Sequence, residues 1–416
     1  MAQVKRWKQP FHQARWQIAR LWYRHFSNLT TIAITGSYGK TSTSRAVAVV
    51  LSQKYQTLMT DINLDTVYNL PITLLKLRSF HQKLVLELGV DHRGEMNSYL
   101  ELVKPSVGVL TGITPVHSEP ELLGSLSGII EEKGTLLEKL PNNGVAILNR
   151  DDPQVVKMAQ KSKAQVIWYG LGKKSDFWAD DIRVDTKGTS FTVHCDTAPY
   201  RSKPVRVKTG LIGRHFVQVC LVAVAIGRRE GISWPLIKTG LAKIKPLQGR
   251  VNLEKGPLGS TLINDSLRAN PVSTIAGLQL LKDLPTKGKR IAVLGEMGEL
   301  GSSAKESHQK VGQKVAELKI DYLVCVGPLQ KHAAESALKL GMKQSQVFWV
   351  KDVFAATEAL RKVLKKDDLF YLKGSLLRHM ERVLLILNND KVGCRVTSCH
   401  YYHQCPSCPY LKSGLE

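Results

Sequence analysis

Short, continuously apolar runs alternate with amphipathic stretches along the first half of the chain. The runs are TIAITG, LVLELGV, VGVLTGI and GVAILN, and stretches such as Ser42–Lys54 and Leu122–Leu140 separate them. Apolar strands placed between helices are typical of a parallel sheet that is covered on both faces. The pattern therefore predicts an α/β fold with a mostly parallel sheet.

A more polar region at about 165–210 follows and predicts a strand-rich insertion. The alternation then restarts in the second half with the runs TLINDS, RIAVLGE, YLVCVG and DLFYLKG. The boundary between the two α/β domains is placed near KIKPLQGR. We predict four parts: a basic, aromatic N-terminal extension at 1–30, a central domain at 31–250, a second α/β domain at 251–390 and a cysteine-rich tail at 391–416.

A glycine loop follows the first apolar run and precedes a helical stretch. Backbone N–H groups at a helix N-terminus bind phosphate oxygens, Lys40 would neutralise phosphate charge, and the Thr41 hydroxyl could reach Mg²⁺. The usual phosphate loop has four residues between its glycines, whereas Gly36 and Gly39 enclose two. Strand, loop and helix together predict a nucleotide site, against the alternative of a structural turn. Its residues are Gly36, Ser37, Gly39, Lys40, Thr41 and Ser42.

The composition bounds the class of protein. Apolar residues make up 43% of the chain, which excludes a disordered or fibrous protein. The net charge of +24 favours anionic partners. No apolar run has membrane-spanning length and the N-terminus lacks the apolar core of a signal peptide, so a cytoplasmic location is expected. The seven cysteines are then interpreted as thiols or metal ligands.

The N-terminal extension contains basic and aromatic residues but no acidic residue. One interpretation is a helix that lies on the anionic inner face of a membrane. The other is a helix that packs its aromatic face on the next domain. The basic residues are Lys5, Arg6, Lys8, Arg15, Arg20 and Arg24, and the large apolar residues are Trp7, Phe11, Trp16, Leu21, Trp22 and Phe26.

Seven segments resemble, in order, the motifs of the Mur ligases, which use ATP to join an amino acid or peptide to a carboxylate. The segments are TGSYGKT, ELGVDHRGEM, GITPVHSEPELLGSLSGIIEEKGTLLEKLP, IGRHFVQVCLVAVAIG, LINDSLRANPVSTIAGLQLL, IAVLGEMGELGSSAKESHQKVG and LKGSLLRHME. The last three are similar to the MurF-type branch, which adds D-alanyl-D-alanine to UDP-muramoyl tripeptide. The resemblance implies a central P-loop-type ATP-binding domain, a Rossmann-like C-terminal domain, and peptidoglycan-precursor ligation through an acyl phosphate.

The resemblance also implies residue roles. Thr41 and Glu87 match ligands of a Mg²⁺ ion between the β- and γ-phosphates, and His117 matches a ligand of a second Mg²⁺. Lys133 matches a lysine that CO₂ carbamylates, so that it helps to hold the metal. Arg250 resembles an arginine near the γ-phosphate. The implied catalytic set is Lys40, His117, Lys133 and Arg250.

Further roles fall in the second domain. Asp265 resembles the ribose contact, and the amine substrate is assigned to Asn270, Lys373 and Ser375. Phe216, Val219, Leu267 and Arg268 depart from the family pattern on the adenine side, so adenine recognition is expected to differ, through stacking on Arg268, or to be weak.

About thirty residues precede the glycine loop, where typical family members carry a domain that binds the UDP-sugar. Thirty residues cannot form that domain. We therefore expect either another surface for the uridine diphosphate or a different acceptor, such as a lipid-linked one.

The tail presents four cysteines with the spacing C-x₄-C-x₅-C-x₂-C and two nearby histidines, His400 and His403. Thiolates suit Zn²⁺, and four protein ligands would make the site structural. An unstructured reduced tail is the alternative. The cysteines are Cys394, Cys399, Cys405 and Cys408.

Two other functions remain open. One is a Mur-like ligase, or the ATP-using partner of an amidase, that acts on a lipid-linked or non-cell-wall acceptor. The other is a non-catalytic nucleotide-binding relative. For the ligase, the expected partners are an anionic cell-wall precursor and an amino acid or dipeptide, the chain is expected to be a monomer, and nucleic acid is not expected among the partners.

Overall fold

The computed structural model describes residues 9–61, 64–399 and 405–414. It divides into two units, the first built mainly from the chain up to Lys245 and the second mainly from Pro246 onwards. The point of division lies inside the KIKPLQGR segment.

A nine-stranded sheet forms the centre of the first unit, in the order β2-β3-β1-β4-β5-β6-β7-β8-β9. The strands from β2 to β7 pair in parallel along this order, and β8 and β9 pair antiparallel. This confirms the α/β fold with a mostly parallel sheet. The strands are β1 (Thr30–Thr35), β2 (Thr57–Met59), β3 (Lys83–Glu87), β4 (Val107–Leu110), β5 (Val145–Asn149), β6 (Gln165–Gly170), β7 (Phe177–Asp185), β8 (Gly188–Cys195) and β9 (Ser202–Thr209).

Eight helices accompany this sheet among the described residues. A cluster of buried side chains from the first, third and fourth of them packs on β1 and β3, and a second cluster joins the fifth and sixth to β4 and β5. The helices are α1 (Gln9–Tyr23), α2 (Lys40–Leu51), α3 (Thr66–Leu75), α4 (Glu95–Leu102), α5 (Leu126–Glu138), α6 (Pro153–Met158), α7 (Phe216–Arg229) and α8 (Trp234–Lys243).

The second unit contains a six-stranded sheet in the order β10-β11-β15-β12-β13-β14, with β10 antiparallel to β11 and the other pairs parallel. Its strands are β10 (Asn252–Lys255), β11 (Thr261–Asp265), β12 (Arg290–Gly295), β13 (Tyr322–Val326), β14 (Val347–Val350) and β15 (Leu369–Lys373). Its helices are α9 (Pro271–Asp283), α10 (Ala304–Glu317), α11 (Lys331–Lys339), α12 (Val353–Val363) and α13 (Arg382–Leu387).

Polar side chains set where several helices begin. Ser125, Asp152, Asn270 and Asp352 precede α5, α6, α9 and α12, and each side chain accepts a backbone N–H from the first turn. Such caps satisfy donors that the helix itself leaves unpaired. The cap of α5 matters most here, because this helix carries Lys133.

Helix α1 has two unlike faces. Trp16 and Ala19 are buried in the cluster with α3, β3 and α4, so one face packs as the second interpretation predicts. On other faces Phe11, Ile18 and Leu21 are 74%, 57% and 57% exposed. No helix within the described ranges combines the length and the apolarity needed to cross a membrane. Four of the residues that define the extension lie outside the described residues: Lys5, Arg6, Trp7 and Lys8.

Candidate active site

The glycine loop between β1 and α2 is held by the loop that follows β4. Gly36 and Gly39 have φ angles of 145° and 76°, which glycine adopts readily. The Ser37 N–H donates to the Gly112 carbonyl at 2.7 Å, and the Ser37 hydroxyl donates to the Thr114 carbonyl at 3.1 Å. These bonds support the shortened loop where it enters the N-terminus of α2, a place that suits phosphate oxygens.

Gly36→Ala is expected to destabilise the protein and to weaken ATP binding. A Cβ atom at this position would lie 2.1 Å from the Thr111 hydroxyl oxygen, and the φ angle strains any other residue. Strain of this kind costs about 1–3 kcal/mol. Urea denaturation and calorimetric ATP titration measure the two effects. Gly172→Ala, where a Cβ meets nothing within 4 Å, is the matched control, and equal behaviour of the two variants would contradict the prediction.

Lys40, Thr41 and Glu87 meet at the carboxyl ends of two neighbouring strands. Parallel pairing of β1 and β3 sets Glu87 opposite Ile34, beside the glycine loop. The Thr41 hydroxyl donates to Oε1 of Glu87 at 2.9 Å, and Nζ of Lys40 donates to the Gly36 carbonyl at 2.6 Å. Hydroxyl and carboxylate oxygens are the hard ligands that Mg²⁺ takes, and the lysine supplies positive charge across the loop.

His117 and Lys133 converge on one main-chain oxygen. The carbonyl oxygen of Val90 lies 3.1 Å from Nδ1 of His117 and 3.3 Å from Nζ of Lys133. Val90 follows β3 by three residues, His117 lies between β4 and α5, and Lys133 lies within α5. Two side chains that are 16 residues apart in sequence are therefore neighbours, as the implied metal site requires.

Lys133 is fully buried, and its surroundings change its acidity. Burial, assisted by the charge of Lys40, lowers the pKa of Lys133 to about 7, although Asp91, Glu132 and Glu95 oppose the shift. At neutral pH a substantial part of the side chain is then an uncharged amine. An uncharged amine is a nucleophile, whereas the ordinary protonated lysine is not.

Three polar residues beside Val90 were not singled out from the sequence: Asp91, His92 and Glu95. The Glu95 carboxylate accepts the N–H groups of Asp91 and His92 at 3.0 and 3.2 Å, and Nδ1 of His92 lies 2.7 Å from Asp91 Oδ1. Their ligand atoms lie within 4.8 Å of one another, so the turn could bind a cation. Their position directly after a buried strand, inside the quoted ELGVDHRGEM segment, was the available signal.

Glu132 caps a helix other than its own. Its carboxylate oxygens accept the N–H groups of Gly94 at 2.9 Å and Met96 at 2.7 Å, at the start of α4. Lys133 is the next residue on α5. The residue that caps α4 is therefore next to the buried lysine in the sequence of α5.

In the second unit, Asp265 and Lys373 form a buried ion pair. They face each other across the parallel strands β11 and β15, with Lys373 Nζ 2.5 Å from Asp265 Oδ2 and the Tyr371 hydroxyl donating to the same oxygen at 3.0 Å. Burial raises the pKa of Asp265, although Lys373 and Arg250 oppose the shift. Burial also lowers the pKa of Lys373, against the attraction of Asp265.

Asp265→Asn is expected to destabilise the protein by about 3–5 kcal/mol, because it leaves the Lys373 charge buried without its partner. The double variant Asp265→Asn with Lys373→Met removes both charges and should lose less than the sum of the two single changes. Urea denaturation of the four proteins measures this. Additive losses would mean that the two side chains do not stabilise each other.

The remaining predicted residues of the second unit have local contacts. Arg268 is exposed, and its carbonyl accepts a hydrogen bond from Lys373 at 2.9 Å. The Asn270 side chain accepts the Ser273 N–H at 2.9 Å and so caps α9. The Ser375 N–H donates to the Glu296 carbonyl at 3.0 Å. Asn270 thus has a structural role at the start of α9.

The four-cysteine zinc site of the tail stays a prediction. Within the described part of the chain, no three of Cys394, Cys399, Cys405 and Cys408 have sulfur atoms within 4.8 Å of one another. The Cys394 carbonyl accepts from buried Arg382 at 3.2 Å, and the Cys399 N–H donates to the Leu377 carbonyl at 2.9 Å. His400 and His403 lie outside the described residues.

The chain is similar to known proteins over most of its length. The family model "Mur ligase middle domain" matches residues 34–227, and "Mur ligase, glutamate ligase domain" matches residues 249–376. The UDP-N-acetylmuramoyl-tripeptide–D-alanyl-D-alanine ligase of Escherichia coli is 34% identical over 373 residues, covering 89% of this chain and 79% of the relative. The ligase of the same name from Bacillus subtilis is 30% identical, covering 85% and 74%.

A solved structure gives the same result. The crystal structure of MurF from Acinetobacter baumannii matches with a TM-score of 0.80 and 29% identity, covering 91% of this chain and 81% of that one. Because the similarity extends over most of each chain, and the two domain models cover the residues of the predicted site, the chain belongs to the Mur ligase family.

Proposed function

We propose that this protein is an ATP-dependent ligase that forms an amide bond between D-alanyl-D-alanine and the terminal carboxylate of UDP-N-acetylmuramoyl tripeptide. Its substrates are then small molecules, and the product is a precursor of peptidoglycan. The names of the relatives support the choice of substrates. The observation that carries the chemistry is the convergence of His117 and buried Lys133 on the Val90 carbonyl.

The reaction needs two bond-forming steps. A substrate carboxylate oxygen attacks the γ-phosphorus of ATP, which breaks the bond to ADP and gives an acyl phosphate. The dipeptide amine then attacks the acyl carbon, loses a proton, and expels inorganic phosphate. Both steps collect negative charge on phosphoryl and acyl oxygens, so positioning and positive charge dominate the catalysis.

The glycine loop and its neighbours suit the ATP phosphates. Lys40 would neutralise charge on the transferred phosphoryl group, and loop N–H groups would hold the oxygens. Thr41 and Glu87 would hold Mg²⁺, which when bound offsets charge on the β- and γ-phosphates. Their 2.9 Å contact through oxygen atoms fits that role. Arg250, Asp265, Arg268, Asn270, Lys373 and Ser375 are retained as proposed contacts to nucleotide and amine substrate.

We propose further that CO₂ carbamylates Lys133. The neutral Nζ bonds to the carbon of CO₂ and loses one proton, which converts a buried amine into an anion beside His117. The pKa of about 7 keeps the amine available for this step. The carbamate and the His117 imidazole would then serve as ligands of a second Mg²⁺. Trapping with ¹³C-labelled CO₂, read by NMR, tests this, and an unlabelled lysine would overturn it.

Two narrower proposals concern the ends of the chain. The exposed Phe11, Ile18 and Leu21 of α1, beside the basic Arg15 and Arg24, suit a peripheral contact with an anionic membrane surface. Sedimentation with anionic and with neutral vesicles tests this, and equal binding to both would contradict it. In the tail, free cysteines that are mostly buried support structural Zn²⁺.

The function is tested by phosphate release from ATP in the presence of Mg²⁺. UDP-N-acetylmuramoyl tripeptide and D-alanyl-D-alanine are supplied alone and together. Phosphate release that requires both substrates supports the proposal. ATP binding without phosphate release from this pair would indicate that the reaction uses another acceptor, such as a lipid-linked one. Absence of ATP binding would leave a non-catalytic relative.

A further inference from the structure

Three different metal-ligating side chains join the tail to the second unit. His379, Glu381 and Cys405 each place one ligand atom so that all three atoms lie within 4.8 Å of one another. The histidine and the cysteine are buried, and the glutamate is half-buried. These three residues, called the tail cluster below, are separate from the residues assigned to ATP and Mg²⁺.

Glu381 holds the tail cluster together. Its Oε1 lies 2.9 Å from Nδ1 of His379 and accepts the Cys405 N–H at 3.1 Å. The second bond joins residues that are 24 positions apart in sequence. It therefore fixes the place at which the tail returns to the beginning of α13.

The second ring nitrogen of His379, Nε2, is also a hydrogen-bonding group. The residue is 2% exposed, and its Nε2 is buried with no hydrogen-bond partner among the described residues. A buried polar atom without a partner costs about 1–3 kcal/mol. A metal ion shared with Glu381 would bind Nδ1, the nitrogen that faces the carboxylate, and Nε2 would then be the nitrogen left for an outer partner.

The surroundings of the tail cluster include one buried positive charge, that of Arg382. The nearby Arg382 is 2% exposed and donates to the carbonyl groups of His379, Cys394 and Val396. A metal ion in contact would deprotonate the Cys405 thiol, and one thiolate with one carboxylate would balance a divalent cation.

We propose that His379, Glu381 and Cys405 bind one Zn²⁺ ion that fastens the tail to the second unit. Imidazole, carboxylate and thiolate are the ligands that Zn²⁺ takes in proteins, and three of them leave the fourth position to water. This inference rests on the proposal of zinc in the tail and replaces its four-cysteine ligand set. It is independent of the ligase activity.

The test is zinc binding by the full chain, measured as metal content and affinity without any substrate. The variants are Cys405→Ser, His379→Asn and, as matched control, Cys408→Ser, since Cys408 belongs to the four-cysteine set but not to the tail cluster. Asparagine tolerates the φ of 47° at position 379. We expect one Zn²⁺ ion in the wild type and in Cys408→Ser, and affinity at least about 10-fold weaker in the other two.

A cobalt spectrum gives a second reading. The intensity of the sulfur-to-cobalt charge-transfer band rises with the number of thiolate ligands. In the wild type the intensity should indicate fewer than four thiolates, and in Cys405→Ser the band should disappear. Loss of metal in Cys408→Ser but not in His379→Asn would overturn the tail cluster in favour of the four cysteines. A wild type without zinc would overturn both. Circular dichroism confirms that each variant is folded, and none of these outcomes depends on ligase activity.

Discussion

Lys40→Ala is expected to reduce the rate of phosphate release by about 100- to 1,000-fold, the loss seen when a preorganised charge at a reacting group is removed. The lysine lies at the first residue of α2 and its Nζ is 2.6 Å from the Gly36 carbonyl, inside the glycine loop. A neutral methyl group cannot offset the charge that develops during transfer of the phosphoryl group. Steady-state kinetics with both substrates measures the change.

The matched control for this prediction is Lys163→Ala, an exposed lysine of the same unit. It removes the same charge from the protein but should leave the rate within about twofold, because an exposed distant charge is screened. A similar loss in both variants would indicate that net charge matters and would contradict the specific role of Lys40. An unchanged rate in Lys40→Ala would remove the glycine loop from the mechanism.

Lys133→Met is expected to abolish ligation and, at the same time, to stabilise the folded protein. Loss of the proposed metal ligand should reduce the rate by about 100-fold or more. Replacing a buried charge by an apolar side chain of similar length is often stabilising, by about 1–4 kcal/mol. Phosphate release in bicarbonate-containing buffer measures the first effect, and urea denaturation at pH 7 in CO₂-free buffer measures the second. Lys139→Met, at the exposed C-terminal end of the same helix, is the control and should change neither.

The wild type should also show a pH dependence that Lys133→Met lacks. The pKa of Lys133 is about 7 in the folded protein and 10.5 in its ordinary state. Between these values the unfolded chain binds a proton at this lysine and the folded chain does not, so the free energy of unfolding decreases as the pH falls. Below pH 7 both states bind the proton and the dependence ends. Denaturation of both proteins from pH 6 to pH 9 in CO₂-free buffer would reveal the difference, and parallel curves would contradict the low pKa.

The central strands of both sheets could be predicted because their residues are mostly buried and apolar, which is typical of a sheet covered on both faces. These strands are β1, β3, β4, β5, β11, β12, β13 and β15. The glycine loop could be predicted because a φ angle such as that of Gly39 favours glycine. Its place at a helix start was a second signal, because the free N–H groups there bind phosphate oxygens. Motif order then placed Glu87, His117 and Lys133 in one site. These residues are far apart in sequence, so periodicity alone would not have joined them.

Other contacts could not be predicted because they depend on where separate segments meet. Nothing in the order of the chain shows that Glu132 caps α4. Cysteine spacing suggested four zinc ligands, yet Cys405 lies with His379 and Glu381, 24 or more residues earlier. A local pattern of one residue type cannot reveal a ligand that comes from another segment.

The Val90 carbonyl has a consequence for the evolution and engineering of this site. Both His117 and Lys133 are positioned by an oxygen atom that no codon specifies, since every residue type supplies it. Substitution at position 90 therefore preserves the contact point as long as the backbone keeps its path. Selection can shift that point only by changing the path of the backbone between β3 and α4. Laboratory libraries that aim to alter this part of the site should therefore vary the length of this loop as well as its side chains.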